Sequence, residues 1–199
     1  MGKTVEFYFD FGSPASYLAW TQLPGIAARA GAQIAWRPVL LGGIFQATGN
    51  RSPAEIPAKG VYMFRDLARF AQRYGVPFNL NPHFPINTLQ LMRGAIALQY
   101  RKPESFQRYV EAIFKAIWVD GLNLNDPAAV GGVLTRAGLN PQEVLAMVGE
   151  QEIKDRLRAE TDAAVKRGLF GVPTMFVGEE MFFGQDRLDF VTAALERAA

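Results

Sequence analysis

"FDFGSPASYLAW", residues 9–20, decides how this chain is read. An apolar strand pattern runs into Gly12, and Ser13-Pro14 then opens a helix, serine being a preferred N-cap and proline a favoured first helical residue. The amides of Ala15 and Ser16 have no intrahelical partners there, so the junction favours negative charge. Ser13 is therefore either the cap of its own helix or a donor to an anion. No base accompanies it. His83 is the single histidine, placed in the proline-bracketed "NPHFPINT", and no G-x-S-x-G elbow presents a serine. We read His83 as a loop or pocket-wall residue, and one histidine cannot build a histidine-based metal cluster.

Outward from this junction, "TVEFYFDF" (4–11) alternates and is rich in aromatic residues, which predicts a strand. Residues 14–30 predict a helix ending near Gly31. "AQIAWRPVL" gives a second strand, interrupted after Arg37 by Pro38. This β-α-β opening implies a parallel pair with a right-handed crossover. Residues 42–60 cluster Gly, Pro, Asn and Ser and are expected to form a loop. The period then becomes 3.6, with Met63, Phe64, Leu67, Phe70 and Tyr74 on one face of "VYMFRDLARFAQRYG".

A proline-rich loop (76–86) precedes helical patterns in "NTLQLMRGAIALQYR" and "PESFQRYVEAIFKAIWVDG". Asp126-Pro127 and Asn140-Pro141 each open a shorter helix, and residues 150–167 a longer one. "GVPTMFVG" and "EEMFFG" read as a hairpin, followed by a closing helix in "DRLDFVTAALERA". Strands at both ends with helices between them give an α/β class. The element order is that of a thioredoxin-like fold with a large helical insertion. The expected division is 1–41 with 166–199 as the thioredoxin-like part and 42–165 as the insert.

Composition narrows the chemistry. Over 199 residues, 49% are hydrophobic and 20% charged, as in an ordinary globular chain. A net charge of +2, without a lysine-arginine run, argues against nucleic acid as a partner. No apolar run approaches the ~20 residues that span a bilayer. The opening residues read as a strand carrying Glu6 and Asp10, not as a signal peptide, so a cytoplasmic protein is expected. There is no cysteine, which removes disulfides, thiolate metal sites and dithiol exchange.

That last absence bears on Ser13-Pro14-Ala15-Ser16. These residues occupy the strand-to-helix position where thioredoxin-type oxidoreductases carry Cys-X-X-Cys, and where the helix terminus lowers the first thiol's pKa to roughly 3.5–7. With serine in place of both cysteines, what remains is a thiolate-stabilising site that can serve a thiol brought in by a cofactor. "FGVPTMFV" agrees, because Val172-Pro173 stands at the start of a strand. A trans bond is the ordinary expectation for such a proline. In thioredoxin-like folds, however, a cis proline here faces the active helix, and the residue before it offers its backbone to a peptide-like ligand.

"YFDFGSPASYLA", "WRPVLLGGIFQATGN", "PAKGVYM" and "FGVPTMFVGEEMFFGQDRLDF" together resemble the 2-hydroxychromene-2-carboxylate isomerases and the related kappa-class glutathione transferases, over nearly the whole chain. The resemblance implies glutathione as cofactor. Ser13 matches the serine that hydrogen-bonds the glutathione sulfur, and Val172 with Pro173 the segment that pairs with the cysteinyl backbone. Asn50 and Lys59 match positions that hold the tripeptide. Gly184, Gln185 and Asp186 match the turn that receives the γ-glutamyl end. On sequence chemistry alone Asp186 serves equally as a helix cap, Asn50 as a turn residue and Lys59 as a solvated charge.

Phe45 and Phe84 are read as loop aromatics able to line a pocket for a small aromatic substrate, and Arg51 or Lys59 as candidates for its carboxylate. The implied activity is interconversion of 2-hydroxychromene-2-carboxylate and trans-o-hydroxybenzylidenepyruvate, in a homodimer. A kappa-like transferase forming stable conjugates and a non-catalytic thioredoxin-like binding protein remain the alternatives.

Overall fold

A computed structural model describes residues 2–198. Strand β1 (Thr4–Phe9) alternates as its sequence requires, with Val5, Phe7 and Phe9 wholly buried on one face. It ends at Phe9, two residues before the apolar pattern does, because the chain turns at Asp10. Helix α1 (Pro14–Ala30) follows and stops at Gly31, whose positive φ of 63° lets its N–H reach back to Ala28 O. Strand β2 (Gln33–Pro38) pairs parallel to β1 from Thr4↔Gln33 to Phe9↔Pro38.

Residues expected to form a loop contain a helix, α2 (Leu41–Thr48). Gly42-Gly43 disfavours one locally, by about 1 kcal/mol per glycine. Distant groups reverse the balance: the Leu40 amide donates to Thr161 Oγ1 at 3.0 Å and the Leu41 amide to Asp10 Oδ2 at 2.8 Å. Ile44 is fully buried in a cluster with Tyr8, Val39, Leu169 and Val172. Gly43 also permits the approach, since a Cβ there would lie 3.2 Å from Thr161 Cγ2. A short 3-10 turn at Pro53–Glu55 leads into α3 (Pro57–Tyr74), which therefore begins earlier than its apolar period suggests. Phe45 and Lys59 consequently lie on helices rather than loops.

Helices α4 (Leu89–Arg101), α5 (Pro103–Trp118), α6 (Pro127–Arg136), α7 (Pro141–Gly149) and α8 (Gln151–Lys166) follow close to their expected bounds. The hairpin β3 (Thr174–Val177) and β4 (Glu180–Phe183) returns to the sheet, and α9 (Leu188–Arg197) closes the chain. Strand β3 runs antiparallel to β1, giving the order β2-β1-β3-β4, a mixed α/β sheet of thioredoxin type. Among the described residues no helix is long and apolar enough to cross a membrane.

The core that positions the β1–α1 turn is aromatic. Phe9 and Phe11 pack on Phe114 of α5, the latter pair with ring centroids 4.9 Å apart. Trp118, also fully buried on α5, donates its indole N–H to Phe11 O at 2.8 Å. The helical segment thus holds Phe9 and Phe11, just ahead of Gly12, from behind.

Candidate active site

Ser13 caps α1 in extended backbone geometry (φ −95°, ψ 113°), and its Oγ accepts from the Ser16 amide at 3.1 Å. Its one hydroxyl proton is given to Val172 O, also at 3.1 Å, across 159 residues of sequence. The side chain is buried, at 5% exposure. The Val172-Pro173 bond is cis, against the ordinary expectation for an X-Pro bond, and the Pro173 carbonyl accepts from the Gly184 amide at 2.9 Å. Three segments far apart in sequence therefore meet at one end of the sheet: the α1 N-terminus, the loop before β3, and the turn after β4.

Such a hydroxyl can do one thing well. With its acceptor lone pair on the helix and its proton on a neutral carbonyl, it exchanges that carbonyl for an anion at the cost of a bond worth about 1 kcal/mol. The bond gained is charge-assisted and roughly twice as strong. Nucleophilic attack would instead need a base, and none of the groups bonded to Ser13 is one. Ser16, the second serine of the pattern, is fully buried and its Oγ has no partner among the described residues, so it faces the core.

Beneath the turn lies Asp10, 1% exposed. Oδ1 accepts from Gly12 N and Oδ2 from Leu41 N, each at 2.8 Å, while the Asp10 carbonyl accepts from Ser13 N at 3.1 Å. Burial pushes its carboxyl above the usual value; the Leu41 and Gly12 amides and Thr88 counter only part of this. Asp10 ties the Ser13 turn to α2, a role that periodicity did not single out. Its signal was a lone acidic residue between Phe9 and Phe11, where an apolar run should not carry charge without a partner.

Gln185 and Asp186 lie in a 3-10 turn, Gln185–Arg187, that packs against α1. Gln185 is buried, with Oε1 lacking a partner among the described residues. Asp186 caps neither this turn nor α9, and pairs with Arg187 beside it. Gly184 enters the turn at φ 98°, and a Cβ there would fall 2.5 Å from Asp186 Oδ1. Tyr74, unremarked beyond its place on an apolar face, donates its hydroxyl to Gln185 O at 2.9 Å. Its pKa is raised by burial first and then by the Asp186 charge nearby.

Asn50 donates to Phe170 O at 2.7 Å and so reaches the loop before Val172. Lys59 sits exposed in the first turn of α3. Arg51, also exposed, lies 3.9 Å from Glu55. Phe84 packs on Phe64 and Trp118, with centroids at 5.4 and 6.1 Å, as part of the core margin. Phe45 is half-buried on α2, and His83 is exposed in its loop.

Residues 4–196 match the family model of the DSBA-like thioredoxin domain. A 2-hydroxychromene-2-carboxylate isomerase from Sphingobium xenophagum is 35% identical over 197 residues, covering 98% of this chain and 99% of that one. A solved structure of a 2-hydroxychromene-2-carboxylate isomerase superposes with a TM-score of 0.86 at 31% identity, over 98% of this chain and 95% of the other. Glutathione S-transferase kappa 1 of Rattus norvegicus is 27% identical over 205 residues, covering 97% and 91% of the two chains.

Proposed function

Because the chain belongs to the DSBA-like thioredoxin family and, within it, to the family of the 2-hydroxychromene-2-carboxylate isomerases, we propose that it is a glutathione-dependent isomerase. Its substrate in this reading is 2-hydroxychromene-2-carboxylate or a related ring-derived pyruvate, interconverted with the trans-o-hydroxybenzylidenepyruvate form. The observation that carries the reading is Ser13: a buried hydroxyl at a helix N-terminus, bonded to the carbonyl before a cis proline, in a chain without cysteine.

The residues fit glutathione. Gln185 Oε1 is a buried acceptor in need of a donor, and the adjacent Asp186 carboxylate, engaged in no cap and paired with Arg187, would share its charge with an ammonium group. When bound, glutathione would supply a thiolate able to add reversibly to the C=C that is conjugated to the ketone once the hemiketal C–O bond of the ring has opened. Ser13, whose proton now rests on Val172 O, would donate it to the sulfur, and the α1 terminus would add its dipole. Val172 offers backbone groups to the cysteinyl part, with Pro173 setting their direction. Asn50 and Lys59 hold the remainder of the tripeptide, and Tyr74 keeps Gln185 in place. The reaction is a net isomerisation, so no oxidant or reductant enters.

Product analysis tests this. With glutathione, the chromene carboxylate should yield its trans isomer while total free glutathione stays constant. A stable conjugate would instead mark a transferase. Turnover indifferent to glutathione, or no saturable glutathione binding at millimolar concentration, would overturn the reading.

A further inference from the structure

One large cleft of the molecule does not include Ser13. It lies within the helical segment, walled by α4, α6, α7 and α8, and encloses about 890 Å3, a volume typical of small-molecule sites. Its walls are mostly apolar, with Leu134, Val144 and Val148 among them. Two cations enter it, Arg93 from α4 and Lys154 from α8, and no Asp or Glu lines it.

Three carboxylates of the neighbouring helices are committed elsewhere. Glu143 pairs with Lys102, Glu150 with Arg101, and Glu152 with Arg101 and Arg156. Arg93 and Lys154 are both half-buried, and neither has a carboxylate within ion-pairing distance among the described residues. The Nε–H of Arg93 is shielded from solvent and lacks a hydrogen-bond partner there. That N–H has lost its water without a replacement, so the guanidinium is incompletely satisfied by the protein alone. A second cleft, of about 580 Å3 between α2 and α8, shares Arg93 and Lys154 but carries Asp155 and Asp162, which repel an anion.

We propose that the α4–α6–α7–α8 cleft is a binding site for a small organic carboxylate with an aromatic or branched apolar body. The carboxylate bridges the Arg93 guanidinium and the Lys154 ammonium. The body rests on Leu134, Val144 and Val148. Asn125, also on the wall, offers an amide to a ring hydroxyl. The site goes beyond the isomerase reading and does not depend on it.

Calorimetric titration of the full chain with 2-hydroxybenzoate, against the neutral 2-hydroxybenzyl alcohol, tests the proposal without any turnover. Saturable binding of the acid is expected, with the alcohol about tenfold weaker or more. Arg93→Gln should weaken the acid about tenfold and leave the alcohol unchanged. Lys154→Glu, at a half-exposed position that tolerates substitution, reverses one charge and should abolish acid binding even if Arg93→Gln proves poorly folded. Ser13→Ala should bind the acid like the parent chain. The proposal is overturned by no saturation up to ~10 mM, by affinity unchanged in Lys154→Glu, or by loss of binding in Ser13→Ala, which would move the acid to the Ser13 turn.

Discussion

The N-termini of α1, α6 and α7 are built from the same local chemistry, a polar cap followed by proline at the first helical position. Asp126 accepts from Ala128 N at 2.9 Å, and Asn140 accepts from Gln142 N and Glu143 N, as Ser13 accepts from Ser16 N. Of the three, only the α1 cap also donates to a distant segment. Asp126 and Asn140 are exposed, and the oxygens they cap with only accept; Ser13 is buried and has a proton left to give. The fold places the Val172 carbonyl where that proton can be held until an anion competes for it. A cap is thus a local device, whereas a donor in reserve needs a second segment brought from 159 residues away.

The comparison breaks first, if it breaks, at Ser13. Ser13→Ala should cut kcat/KM by about 10- to 100-fold through loss of one charge-assisted bond, and raise the pKa of enzyme-bound glutathione read by thiolate absorbance. Asn140→Ala should leave both unchanged. Equal losses in the two variants would mean that Ser13 acts only as a cap.

Asp10→Asn comes next, since an amide cannot accept in place of both carboxylate oxygens from Gly12 N and Leu41 N. A loss of about 1–3 kcal/mol in urea unfolding is expected, together with slower turnover as the Ser13 turn loosens. Wild-type stability in this variant would remove Asp10 as the anchor.

Asn140→Ala should cost about 1 kcal/mol of unfolding free energy, the full worth of a cap that does nothing else. A loss near zero would show that its helix terminus is served by water as well as by Asn140.

The smallest effect concerns pH. Burial alone would raise Glu6 on β1, but Arg167 and Arg37 outweigh it and hold its carboxyl below the ordinary 4.5. Its stabilisation is therefore complete above that value and lost as pH falls through the lowered one. Asp10, just past the end of that strand, is raised above 3.8, so the folded chain binds its proton more readily and gains stability on acidification. Glu6→Gln should flatten the acid limb of the stability curve and Asp10→Asn should steepen it. Parallel curves would show that neither group is linked to folding.

Much was legible because it is local. Alternation in residues 4–9, the 3.6 period of α3 to α5, and the polar–proline starts of α6 and α7 are properties of short windows, and the structure contains each of them. Helix α2 was not legible, because Gly42-Gly43 argues against it and the groups that offset this, Asp10 and Thr161, are 31 and 121 residues away. The anchoring role of Asp10 was not legible for the same reason: a buried carboxylate is tolerable only with donors that no window of sequence displays. The cis state of Val172-Pro173 was likewise undecided, since an X-Pro dipeptide admits both forms.

By itself the sequence determined what chemistry was available: a serine at a helix start, no thiol, one remote histidine, and a pattern of strands and helices compatible with one α/β fold. These follow from residue identity and short-range periodicity. Only the tertiary structure decided which groups meet. It set the Ser13 hydroxyl against Val172 O, put Asp10 beneath the turn and Tyr74 behind Gln185, and turned Arg93 and Lys154 into a common cleft. Each of these depends on removing water from polar groups and matching them with partners far along the chain, and that matching exists only once the chain is packed.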